Sequence, residues 1–182
     1  MRHLPAILPF FLALSFNGSA QPLFRYHASA GLGYSIIAEQ LPEGYPYKPF
    51  TILPSARIWK RGHLILYAEG QFTQATEPFG FRADYEAGVN VGVRFLLPLA
   101  PQLTLKAAIA SGPHFITVET RRQANGFIFS DNFELSAEYY LKRLDTAVQA
   151  RWRYRHISNA GLQAPNGGID NLFLIIGVAK RW

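Results

Sequence analysis

Near the C-terminal end of the chain, His156, Ser158 and Asp170 put an imidazole, a hydroxyl and a carboxylate within fifteen residues. A serine hydroxyl is a weak nucleophile until an imidazole takes its proton, and the imidazole needs a carboxylate to fix its tautomer and stabilise its cation. These residue types are the parts of a serine-hydrolase triad. A developing oxyanion also needs hydrogen-bond donors. The side-chain amide of Asn159 and the backbone N–H groups from Asn159 to Gly161 are the local candidates. A His-x-Ser pair alone is a frequent coincidence, usually an ordinary pair at a strand end, so its meaning depends on the elements that carry it.

Those elements are strands. Phe24, Tyr26, Ala28, Ala30, Leu32, Tyr34 and Ile36 share one parity, with Arg25, His27, Ser29, Gly31, Gly33 and Ser35 between them. Period two is the signature of a strand. The same alternation predicts strands over about 50–60, 64–72, 84–97, 103–118, 127–141, 145–156 and 171–182, eight in all. Pro113 lacks a backbone donor and follows Gly112, which predicts a bulge or a sheet edge there. The connections alternate long and short: a Pro/Gly/Tyr-rich loop over 39–49, a tight turn at Arg61-Gly62, a loop around Pro78 and Gly80, a short turn over 98–101, a polar loop over 119–125, and a tight turn at Lys142-Arg143-Leu144. An even strand number with this alternation predicts an all-β fold, an eight-stranded antiparallel up-and-down transmembrane β-barrel.

Composition agrees. Of 182 residues, 49% are hydrophobic and only 16% charged, yet no window past the N-terminus carries the ~18 uninterrupted apolar residues of a spanning helix. Nine Tyr and fourteen Phe suit strands and interfacial girdles. A water-soluble barrel would bury the apolar face, whereas Glu86, Arg94, Glu134, Glu138, Arg151 and Arg153 share the minority face here. A narrow lumen can satisfy them as ion pairs and hydrogen bonds, which puts the apolar face toward lipid. There is no Cys, so disulfides, zinc-thiolate sites and thiol nucleophiles are excluded. His27, His63 and His114 form no cluster with the spacing of a zinc site and read as structural or interfacial. The net charge of +6 is scattered rather than clustered, which argues against nucleic acid and for an anionic lipid surface.

Arg2 and His3, the apolar run over 4–16, and Gly18 and Ala20 at the −3 and −1 positions predict a cleaved signal peptide over residues 1–20 and a barrel domain over 21–182. With the first strand starting in the periplasm, the loops after strands one, three, five and seven are extracellular. Parity then carries the apolar row Val148, Ala150, Trp152 and Tyr154 on to His156 and Ser158, and Asp170 opens the matching row of strand eight. Imidazole, hydroxyl and carboxylate would all face lipid at the outer leaflet, a costly placement unless it has a task.

The stretch from Arg153 to Leu162, followed by Pro165-Asn166 and Gly168, resembles the signature of the outer-membrane lipid A 3-O-deacylase (PagL) family. Ser111 to Ile116 and Phe127 to Leu135 are similar to weaker family segments, so specific likeness covers roughly the last seventy residues. The resemblance implies serine-esterase hydrolysis of the 3-O acyl chain of lipid A in the bacterial outer membrane, with no metal or organic cofactor. It assigns His156, Ser158 and Asp170 as the triad, Asp170 standing where the family has Glu. It assigns Asn159 to the oxyanion position, beside the local backbone candidate Gly161, and Asn166 to its support. The expected partners are lipopolysaccharide and the outer membrane, and the family likeness leaves room for a homodimer. Lys48, Lys60, Arg82, Arg121 and Arg122 lie at or near loops, where outer-rim members could meet lipid A phosphates; solvation of loops is the plainer reading. The other functional classes open to such a barrel are a non-catalytic adhesion or stability protein and a lipid acyltransferase.

Overall fold

The computed structural model describes residues 27–38, 40–41, 44, 47–76 and 83–181. The expected signal peptide, Arg82 and Trp182 lie outside the described residues. Eight strands follow one another: β1 (His27–Ala38), β2 (Phe50–Arg61), β3 (Leu64–Thr76), β4 (Ala83–Pro98), β5 (Leu103–Ile116), β6 (Gly126–Leu141), β7 (Thr146–Ser158) and β8 (Ile169–Arg181). Each pairs antiparallel with its sequence neighbours, and β8 closes on β1, so the sheet is a barrel without a free edge. Closure satisfies every strand's ladder within the protein, which a sheet surrounded by hydrocarbon requires.

Alternation sorts the side chains as the composition demands. The outer face carries exposed Val89, Val91, Val93, Phe95 and Leu97 on β4, and Val148, Trp152 and Tyr154 on β7. The interior is polar. Arg151 bridges Glu69 (2.6 Å) and Glu134 (2.5 Å), and Arg153 does the same at 2.6 and 2.7 Å. Arg155 and His114 both reach Glu86, at 2.6 and 2.7 Å, and Lys106 pairs with Glu138. His114 also contacts Asn90, which makes it a lumen residue bound into the polar network. At the rim of the longer loops the lumen is closed by an apolar cluster that includes Leu41, Tyr47, Ile116, Val118, Ile157 and Ile169.

Three details depart from the pattern read in the sequence. β5 runs through Gly112 and Pro113 with no register shift: the same alignment pairs Val91 with Ser111 on one side of them and Gly88 with His114 on the other. There is no edge to place the proline on; instead, the β4 ladder omits pairs opposite Gly112 and Pro113, while β6 pairs with both. A Cβ on Gly112 would sit 1.9 Å from the Val89 carbonyl oxygen, so only glycine permits this close crossing. β7 extends two residues further, to Ser158, and β8 starts two residues earlier, at Ile169. The extension follows from inward-facing Ile157 and Ile169, which pair with each other and bury in the apolar cap. Lys60, near a loop as read, lies at the short-turn rim, one residue from the Arg61 end of β2.

Candidate functional site

The extra rungs of β7 and β8 place His156 directly opposite Asp170. His156 Nδ1 lies 2.8 Å from Asp170 Oδ1, both side chains half-exposed on the outer face of the barrel. Tyr154, one outward position below His156 on β7, donates its hydroxyl to the same carboxylate oxygen at 2.7 Å. Ser158 is the next outward residue above His156, so the three sequence-predicted residues share one face. The Ser158 hydroxyl makes no hydrogen bond among the described residues. With Nδ1 turned to Asp170, Nε2 is the ring nitrogen left for a proton from Ser158.

The following loop, residues 159–168, holds this pair in place. Asn159 and Leu162 close a tight turn, Leu162 N–H donating to Asn159 O at 3.0 Å. Its two central residues, Ala160 (φ 54°) and Gly161 (φ 79°), are both left-handed, as a type I′ turn requires. Asn159 is buried. Its Nδ2 donates to Gln163 O at 2.7 Å, its Oδ1 accepts from Gly161 N at 3.0 Å, and its backbone N–H donates to Asn166 Oδ1 at 2.8 Å. The Asn159 amide and the Gly161 N–H are thus committed to shaping the turn. Asn166 thus ties down the start of the loop through that backbone N–H. Ala160 N–H, on the exposed turn, has no acceptor among the described residues and is the first uncommitted backbone donor after Ser158.

Gly168, buried with φ +68°, passes against the imidazole. A Cβ there would stand 2.5 Å from His156 Cε1 and 3.0 Å from Nε2. Its N–H donates to Oε1 of fully buried Gln123 at 3.2 Å. Gln123 belongs to the β5–β6 loop, which is zipped to residues 165–167: Ala124 N–H donates to Pro165 O (2.9 Å), Gly167 N–H to Arg122 O (2.6 Å) and Arg122 Nε to Gly167 O (3.0 Å). Arg122 is therefore engaged with this loop, whereas Arg121 and Lys48 are exposed.

Sequence reasoning gave no site role to Tyr154, Gly168, Gln123, or the pair Ser111–Asp131. The strand register makes one lateral row on the outer face of Ser111 (β5), Asp131 (β6), His156 (β7) and Asp170 (β8). Ser111 Oγ donates to Asp131 Oδ1 at 2.6 Å. Parity already put Tyr154 in the row of His156; the lateral partners needed the register. Directly below the row is an open groove of about 560 Å³ whose lining includes Ile109, Phe133, Tyr154, Leu172, Ala107 and Trp152. Ala107 leaves the space that its larger neighbours surround.

A closed eight-stranded barrel with an apolar outer face, a salt-bridged lumen and a His–Asp pair on the outside belongs to the transmembrane β-barrel class. Within that class, the chain belongs to the lipid A 3-O-deacylase (PagL) family, whose model matches residues 53–179. The fold is similar to that of the outer membrane enzyme PagL, with a TM-score of 0.58 at 15% identity over 83% of this chain and 97% of that one. It is also similar to Neisserial surface protein A (NspA), with a TM-score of 0.59 at 12% identity over 87% and 98%. No curated protein sequence matches the chain.

Proposed function

We propose that the chain is an exported serine esterase of the bacterial outer membrane, its residues 1–20 removed as a signal peptide, which hydrolyses the 3-O acyl ester of lipid A in the outer leaflet. The observation that carries this reading is the His156–Asp170 contact across one rung of the barrel's outer face, with Ser158 one outward position above. Ser158 Oγ attacks the ester carbonyl as His156 Nε2 takes its proton. Asp170, held by Tyr154, keeps the Nδ1–H tautomer and stabilises the imidazolium. The tetrahedral oxyanion takes its hydrogen bond from the backbone of the turn at Ala160. His156 then returns the proton to the sugar alkoxide, and water cleaves the acyl-serine by the same route, releasing a fatty acid. The groove below the site is large enough for a small ligand and holds the acyl chain.

Mass spectrometry of lipid A from cells with and without the protein tests this. The expected result is loss of one 3-O acyl mass, abolished by Ser158→Ala and by His156→Ala while both variants keep the heat-dependent gel shift of a folded barrel. Unchanged lipid A would point to an inert barrel, and an added acyl mass to an acyltransferase. Full activity in Ser158→Ala would remove the serine mechanism.

A further inference from the structure

On a surface facing hydrocarbon, a carboxylate needs donors, since lipid supplies none. Asp170 is held by His156 and Tyr154 among others. Asp131 is level with it and half-exposed on the same face, and among the described residues its one hydrogen bond comes from Ser111. A carboxylate offers about four acceptor positions. Nothing in the proposed catalytic sequence uses this pair.

Its position relative to the site defines a task. Phe129 of β6 pairs with Ser158, Asp131 with His156, and Phe133 with Tyr154. The nucleophile thus lies one outward row above Asp131, and the groove begins one row below it. Rows on one face of a strand are about 6.7 Å apart, and neighbouring strands about 4.8 Å. An acyl chain bound at Ser158 and descending into the groove therefore crosses the Asp131 row within its first few carbons.

We propose that Ser111 and Asp131 form a specificity subsite that accepts a hydrogen bond from a substrate hydroxyl lying within a few bonds of the scissile ester. Two hydroxyls meet that description: one on the acyl chain, β to the carbonyl, and one on the sugar carbon next to the ester. Asp131 is the acceptor. Ser111, donating to Oδ1, orients the carboxylate and leaves Oδ2 for the substrate. This inference rests on the serine-esterase reading of His156 and Ser158.

The test uses full-length protein in detergent micelles and three synthetic glucosamine 3-O esters. One carries a β-hydroxyacyl chain, one the same chain without its hydroxyl, and one the β-hydroxyacyl chain on a sugar lacking the neighbouring hydroxyl. The wild type is expected to favour the complete ester about tenfold in kcat/KM over whichever analogue lacks the recognised hydroxyl, which identifies its source. In Asp131→Ala that ratio falls to about one; Asp131→Asn, which keeps the shape, gives an intermediate ratio, and Ser111→Ala lowers it less than Asp131→Ala. A wild-type ratio near one for both analogues, or a ratio that survives Asp131→Ala, overturns the subsite. Ser158→Ala, run on the same esters, separates the two claims: hydrolysis persisting there removes the esterase reading itself, whatever the ratios.

Discussion

His156 and Asp170 are fourteen residues apart in the chain and directly opposite each other in the barrel, with Nδ1 2.8 Å from Oδ1. A β-ladder fixes both the height and the facing of its paired residues, so the contact is as rigid as the β7–β8 pairing that carries it. The carboxylate is set by the register, with the short Asp side chain sufficing because the strand backbone brings it close. Asp170→Asn keeps the shape and removes the charge that stabilises the imidazolium. Its kcat is expected to fall by at least about 10², while the gel shift of the folded barrel is unchanged. Rates of fatty-acid release from lipopolysaccharide check this.

Tyr154 tightens the same carboxylate from below. Hydrogen bonds to charged groups contribute about 1.5–3 kcal/mol, but this one is partly exposed, so the lower end applies. Tyr154→Phe is expected to slow turnover about tenfold, and Asp170→Asn,Tyr154→Phe to be no worse than Asp170→Asn alone. A double-mutant cycle on kcat measures that coupling; independent, multiplying losses would show that the tyrosine acts elsewhere.

Gly168 is required twice, by its left-handed backbone and by the ring against it. Gly168→Ala drives a methyl into His156 and strains φ. The expected result is loss of activity of 10²-fold or more, on the order seen when catalytic groups are misplaced by about 1 Å, in a barrel that still folds. The His156 ring signals in an NMR spectrum of histidine-labelled protein should move.

Gln123 reaches the histidine through Gly168 from another loop. Gln123→Leu removes the acceptor while roughly keeping the volume, and should lower kcat several-fold with KM nearly constant. Gln123→Glu retains an oxygen for the Gly168 N–H and should recover part of the rate. An effect confined to KM would instead place Gln123 in substrate binding.

The lumen network is a stability matter. Glu134 serves Arg151 and Arg153 at 2.5 and 2.7 Å and Arg94 at 3.4 Å. Removing one partner of a buried ion pair leaves an uncompensated charge and costs about 3–5 kcal/mol. Glu134→Ala should lower the midpoint of urea unfolding in lipid vesicles accordingly, whereas Ser158→Ala should leave it within error.

Much of the barrel was legible because a strand's period is two. Glu86, Arg94, Glu134, Glu138, Arg151 and Arg153 announced an interior that pairs charges, and the structure buries all six. Parity also put His156, Ser158 and Asp170 on one face. Period two says nothing about where a strand stops, which is why β7 and β8 read short by two residues each, just at the site. Those rungs exist because Ile157 and Ile169 bury together beneath the rim loops, a contact between distant segments.

The loop chemistry divides the same way. Asn159 and Gly161 were marked by residue type and Asn166 by resemblance, yet type alone suggested that the Asn159 amide was free to donate. Folding commits it to Gln163 O and buries it, because a tight left-handed turn leaves its own polar groups to be satisfied locally. What the residues determined by themselves was the pattern: eight strands, two faces, and a hydroxyl, imidazole and carboxylate on the outer one. Only the tertiary structure decided register, and register is what joins Ser111, Asp131, His156 and Asp170 into one row, lays the groove beneath them, and presses Gly168 against the imidazole. Alternation is a property of each strand alone, whereas register is a property of pairs of strands, set by turns, caps and buried partners far apart in the chain.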